Sequence, residues 1–418
     1  MAATKILRLA RTWIMLCLVT AVSMPLLVPA GWTAEPIKIG FSVQLTGPLA
    51  PSGKANLLGQ QIWAERINAT GGLLGRPVRL VYYDDQSSAS NVPGLYAKLL
   101  DIDRVDLLMG SASNVIVAAM PLVIERHKLL MALVALGVND AFGYSRYFQT
   151  APWGADASTA MARGFFEVAS TRPQVKSVAL VGLEAEAAAS VLRGARAEAK
   201  RIGLSIVYDR TYPPATTDFG PIVRAIKTST PDAVFVASYP LDSVGMVRAA
   251  HEASLKTTLF GGAMVGLQYA ALRGQLGESL NNVINYELWV PGPKLRFPAI
   301  DSFLKTYQER AKGEGADALG YYQPPFAYAA MQILEQAISA TGTVDDATLA
   351  DYLHTHRFAT IVGDVEFDAK GEWPKSRVLT VQFRNVKGNG IEQYLGEDKV
   401  VVLYPYEYQD GELLPFAP

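Results

Sequence analysis

Residues 67–85 read Ile-Asn-Ala-Thr-Gly-Gly-Leu-Leu-Gly-Arg-Pro-Val-Arg-Leu-Val-Tyr-Tyr-Asp-Asp, the end of a helix, a glycine stop and a strand that finishes in two carboxylates. Gly71 and Gly72 can take the left-handed backbone that closes a helix. Pro77 can begin a strand but cannot sit in its middle, and Val78, Leu80 and Val81 supply the apolar residues that follow. Upstream, residues 37–43 (Ile-Lys-Ile-Gly-Phe-Ser-Val) read as another strand, and Thr46-Gly47-Pro48 and a helix over about 55–68 lie between the two. A strand, a helix and a second strand in that order require a crossover and therefore a parallel sheet.

The alternation continues. A helix is predicted over 89–100, a buried strand over 105–110, a helix over 115–126 and a strand over 129–135. Residues 148–154, broken by Pro152 and Gly154, read as a crossing point and not as a core element. A second series begins with a strand over 178–182, a helix over 187–202 and a strand over 203–209 that again ends in an aspartate, Asp209. Strands over 233–237 and 258–262 flank a helix over 244–253. Helices over 299–311 and 325–340 follow, then a short one capped by Asp345-Asp346 and ending near His354, then a turn over 365–371. Residues 378–384 are the last clear strand, and the aromatic, proline-rich tail 404–418 is expected on the surface. The fold class is α/β: two doubly wound parallel-sheet lobes with a ligand cleft between their loop edges.

With 418 residues, half of them apolar, the chain has room for two sizeable cores. Its 38 basic and 39 acidic residues nearly cancel, so no basic surface points to nucleic acid. Lys5, Arg8 and Arg11 precede an apolar run over 13–27, with small residues at Val28 and Ala30, the pattern of a cleavable signal peptide over 1–30. Its removal takes three basic and no acidic residues, leaving a net charge near −4, and places the mature protein in the periplasm. Cys17, the only cysteine, falls within that signal. The mature chain would then have no disulfide, thiol nucleophile or cysteine metal site, and must rely on its cores.

The polar constellations point to binding rather than to catalysis. Asp84-Asp85 read as a strand end that caps the next turn. Asp351, His354 and His356 have loose metal-ligand character, but histidines two apart on a helix point to different sides. Gly110-Ser111-Ala112-Ser113-Asn114 reads as a ligand-binding loop; it does not fit the Gly-x-Ser-x-Gly nucleophile elbow. Gly71, Gly72 and Gly75 follow a helix and so fail the dinucleotide fingerprint. No cofactor, metal or enzymatic activity is expected.

Taken together, Ile39-Gly40 with Thr46-Gly47-Pro48, Ile67-Asn-x-x-Gly-Gly-x-x-Gly-Arg76, Val81-x-x-Asp-Asp85, Val105-x-x-x-x-Gly110, Pro231-Asp-Ala-Val234 and Gly363 to Gly371 resemble the leucine/isoleucine/valine-type solute-binding proteins of ABC importers. Those proteins have the type I periplasmic binding fold. The resemblance implies two lobes, 36–151 plus 288–372 and 152–287 plus 373–418, joined by a three-strand hinge. It also implies a monomer that closes on a small solute and presents it to a membrane permease. In amino-acid binders of this kind a serine and a threonine hold the substrate carboxylate. Their positions here fall at Asn114, beside Ser113, and at about Gly137, after Ala135 and Leu136. The first-loop tyrosine falls at Ser52, and only Tyr239 keeps an expected cleft aromatic; Glu184 and Glu186 replace the usual pattern in a second-lobe loop. The acidic partner of the ammonium falls near Ala263, where there is none. A zwitterion buried without that partner would cost several kcal/mol. The expected solute is therefore a small acid or neutral compound, with Trp153, Tyr239, Tyr321 and Tyr322 available to stack on a ring. A periplasmic ligand sensor on the same fold and a true amino-acid binder are the alternatives.

Overall fold

A computed structural model describes residues 34–418; the segment read as a signal peptide lies outside the described residues. Strands β1 (Ile37–Val43), β2 (Val78–Asp84), β3 (Leu107–Ala112), β4 (Leu130–Val134) and β5 (Tyr147–Gln149) form an all-parallel sheet in the order β2-β1-β3-β4-β5. In β3, Leu107 and Met109 face one apolar layer and Leu108 the other, so the strand reads as a continuous apolar run because both faces are covered. The covering helices are α1 (Ala50–Ala69), α2 (Val92–Ala97, continued by a π-helical turn to Ile102), α3 (Ser113–Glu125) and α4 (Val138–Phe142).

The second sheet has the order β14-β13-β10-β9-β8-β6-β7. Its parallel strands are β6 (Ser177–Leu183), β7 (Ser205–Tyr212), β8 (Ala233–Ser238), β9 (Leu259–Met264) and β10 (Ile284–Glu287), alternating with α5 (Ala157–Ser170), α6 (Glu186–Arg201), α7 (Gly220–Thr228), α8 (Pro240–Glu252) and α9 (Ala270–Leu276). The chain then returns to the first lobe. Helices α10 (Ile300–Glu314) and α11 (Pro324–Thr341) pack on α1, where the Trp63 indole donates to Glu335 at 2.7 Å, and α12 (Asp346–Thr355) packs on α11. A small hairpin, β11 (Phe358–Thr360) and β12 (Gly363–Val365), leads back to β13 (Leu379–Phe383) and β14 (Val400–Tyr404). These last two strands add to β10 in antiparallel fashion.

Several expectations need correction. The chain has a strand after 378–384, namely β14. The tail beyond it is not wholly a surface segment, since Phe416 is buried and stacks on Phe260 at 4.5 Å. Asp209 does not end its strand; β7 runs on to Tyr212, and Asp209 is held there by a two-pronged bond from Arg196 at 2.7 and 2.8 Å. The crossing segment is also core, because Tyr147–Gln149 is a fifth strand and Phe148, Ala151 and Trp153 are fully buried.

Three crossovers join the lobes, and they touch one another. The Gln149 N–H donates to the Gly371 carbonyl at 2.8 Å, and the Pro152 carbonyl accepts from Arg377 N at 3.0 Å. At Gly154 (φ +79°) a Cβ would lie 2.4 Å from Ser376 N, and at Gly371 (φ +74°) 1.8 Å from Tyr147 O, so glycine is required at both places. The Arg377 guanidinium lies 4.7 Å from the Trp373 ring and 5.2 Å from that of Phe297, linking the third crossover to the second.

Candidate functional site

At the carboxyl edge of the first sheet, the paired aspartates bind the loops together. Asp84 accepts from Leu45 N at 3.0 Å, from the Thr46 hydroxyl at 2.6 Å and from Gln86 N at 2.8 Å. Burial raises its pKa, but these bonds outweigh burial and bring it below the usual range. Asp85 is fully buried, taking bonds from Ser42 Oγ (2.9 Å), Gln44 Nε2 (2.8 Å) and Ser87 N (2.9 Å), and burial pushes it up. Every one of these contacts is structural, as the strand-end reading expects.

The run from Gly110 to Asn114 is not a loop. Ser111 is the fifth residue of β3, its hydroxyl bonded to Gln44, and Ser113 and Asn114 open α3 directly. A serine can remain in that strand because its oxygen finds a buried partner. Ser113 Oγ accepts the Leu136 N–H at 3.1 Å, tying the end of β3 to the turn after β4, while the Asn114 side chain is exposed. In that turn Ala135 is buried, Leu136 half-buried, and Gly137 (φ +60°) precedes α4.

Across the junction, Tyr239 stands before α8 with 38% of its surface exposed. Three residues on, the half-buried Asp242 is raised by burial despite bonds from Tyr239 N–H and the Tyr212 hydroxyl. Ala263 lies inside β9, next to its last residue and 2% exposed, pairing with Ala237 of β8. Ser52, in the first turn of α1, donates to Gln323 Oε1, which also accepts from Asn56 Nδ2 at 3.0 Å.

The residue that sequence reasoning missed is Tyr286, at the third position of β10. Its hydroxyl meets that of Tyr322, just before α11, at 2.7 Å, and both side chains are buried. Tyr286 packs against Trp153 at 6.4 Å between ring centroids, and Tyr322 against Tyr269 at 6.0 Å. A file of four rings thus runs from the first crossover to the residue before α9. Burial pushes the Tyr269 hydroxyl up to about 12, partly offset by a hydrogen bond with Ser52. The structure therefore brings Ser52, Trp153 and Tyr322 to one file, and ties Ser113 to the 135–137 turn at the carboxyl ends of β3 and β4. A cavity of about 460 Å³ opens by the second crossover between Trp289, Arg296, Lys305 and Leu395; of the residues expected to stack, it touches only Tyr321.

A family model for the periplasmic binding proteins matches residues 36–409. The chain belongs to that family. Among relatives of this periplasmic binding protein, the Leu/Ile/Val-binding protein of Escherichia coli (strain K12) is 24% identical over 346 residues, 81% of this chain and 88% of the other. The fold is similar to that of the branched-chain amino acid transporter substrate-binding protein LivJ from Streptococcus pneumoniae, solved with isoleucine. There the TM-score is 0.72 at 22% identity, over 88% of this chain and 100% of that one. It is also similar to a solute-binding protein of an ABC transporter from Rhodopseudomonas palustris solved with 3,4-dihydroxybenzoic acid. In that case the TM-score is 0.69 at 16% identity, over 91% of this chain and 96% of the other. The periplasmic binding proteins it resembles bind small solutes for ABC importers and are not enzymes.

Proposed function

We propose that the protein is a monomeric periplasmic receptor that closes its lobes, 36–151 plus 288–372 and 152–287 plus 373–418, on a small organic acid without an ammonium group and delivers it to an ABC permease. The observation that carries the reading is Ala263: where the resemblance places an ammonium-pairing acid, a methyl group is sealed into β9. The four-ring file favours a solute that itself carries a ring. The dihydroxybenzoate carried by the Rhodopseudomonas palustris protein is a precedent for such a solute on this fold.

An amino-acid solute is the second reading, and Asp242 favours it, being a half-buried carboxyl beside Tyr239 that could meet an ammonium. Titration calorimetry with benzoate, 3,4-dihydroxybenzoate and leucine separates the two. Binding of an aryl acid with no heat from leucine supports the first. Leucine binding that is lost in Asp242→Asn, with no aryl-acid binding, overturns it in favour of the second.

A further inference from the structure

Two buried hydrogen-bond donors lie on the ring file with nothing to receive them. Trp153 is fully buried, yet its Nε1–H has no acceptor among the described residues. The Tyr286–Tyr322 bond uses one of the two hydroxyl protons, and no acceptor among the described residues takes the other. A buried donor left unpaired costs about 1–3 kcal/mol, so native proteins seldom leave two of them on adjoining rings. The Trp153 and Tyr286 rings are neighbours, 6.4 Å between centroids, so the two unpaired donors belong to adjoining side chains at the first crossover.

We propose that Trp153 Nε1 and the free proton of the Tyr286–Tyr322 pair form the polar end of the solute site and together take an acceptor oxygen borne on an aromatic ring. This rests on the functional reading above and sharpens it. Trp153 becomes a hydrogen-bonding residue as well as a stacking face, and Tyr286 becomes a specificity-determining residue. The acceptor chemistry is shared by an aryl carboxylate and a neutral aryl carbonyl. Solutes with a ring but no such oxygen would leave both donors unpaired and would be rejected on that ground.

The test measures benzoate and benzamide affinity by titration calorimetry on the wild type, Trp153→Phe and the double variant Tyr286→Phe/Tyr322→Phe. The double variant removes both hydroxyls at once, so that neither is left facing a lost partner, and circular dichroism checks that each variant is folded. Trp63→Phe, which loses an indole donor bonded instead to Glu335, is the control for indole loss as such. Both site variants should weaken benzoate about tenfold or more, with Trp63→Phe within twofold of wild type. Benzamide binding as tightly as benzoate identifies the acceptor as a carbonyl; benzoate alone identifies it as a carboxylate. Benzoate bound within twofold of wild type by both site variants overturns the assignment and leaves the functional reading standing. A wild type that binds leucine and neither aryl compound overturns the functional reading, and this assignment with it.

Discussion

The Asp317 carboxylate accepts the Ala270 backbone N–H at 2.7 Å, so the first turn of α9 in the second lobe is capped by a residue that the chain places between α10 and α11. Tyr269, the residue at the cap position itself, makes no side-chain cap bond. The other oxygen of Asp317 holds the N–H groups of Leu319 (3.2 Å) and Gly320 (3.0 Å), which aim the backbone toward Tyr321 and Tyr322. Asp317→Ala should cost about 1–2 kcal/mol, the usual worth of a helix cap. Urea denaturation would measure it, and Asp317→Asn should recover part of the loss.

Arg273 and Glu287 form an ion pair at 2.6 Å with both side chains fully buried, and Arg273 also lies 5.2 and 5.1 Å from the rings of Phe383 and Tyr394. Removing one partner strands a charge in a dry interior. Arg273→Met alone should destabilise by about 3–5 kcal/mol, whereas Arg273→Met/Glu287→Leu should recover most of it. A double-mutant cycle in urea reads the difference.

Glu372 is buried with neither carboxylate oxygen hydrogen-bonded, and burial, with Asp368 and Asp140 nearby, pushes it up to about 9. The folded protein therefore holds this proton while the unfolded chain has already released it. Stability should be full below about pH 4.5 and fall by about 1.4 kcal/mol per pH unit until the folded group ionises near pH 9. Urea midpoints at pH 5 and pH 8 would check this. Glu372→Gln should match wild type at pH 5 and exceed it by about 2 kcal/mol or more at pH 8.

At the hinge, Gly154→Ala would place a methyl group against the backbone of the third crossover and Gly371→Ala one against the backbone of β5, both at a positive φ. Each should destabilise by about 2–4 kcal/mol, beyond the effect of an ordinary glycine replacement. Thermal unfolding followed by circular dichroism is sufficient to detect it.

The opening βαβ unit was legible because its signals are local: a glycine stop, Pro77 before β2, and the apolar residues Val78, Leu80 and Val81 that follow it. The ring file was legible only where residue type alone marks it, as with Trp153 and Tyr322. Tyr286 was not, because β10 is four residues long, Ile-Asn-Tyr-Glu, with two polar side chains and no periodicity to count. Its strand character comes from β9 and β13 on either side. Ser111 misled for a related reason. A polar residue at a strand end reads as a turn until the partner that satisfies it, Gln44, is brought there by the fold. The helices α7 and α9 are nine and seven residues long, too short for a pattern to stand out.

The return of the chain to each lobe has a consequence for how the protein comes to be folded. The first sheet is complete in sequence by Gln149, but the helices that cover α1 begin only at Ile300, and the second sheet gains its final strand at Val400–Tyr404. Neither half can reach its finished core from a contiguous stretch, so the decisive contacts are distant in sequence and the folding transition should be slow and late. A chain cut short before β14 would also leave β13 as an open edge with unpaired N–H and C=O groups, a template for association with another copy. The five residues of β14 thus guard the solubility of everything made before them.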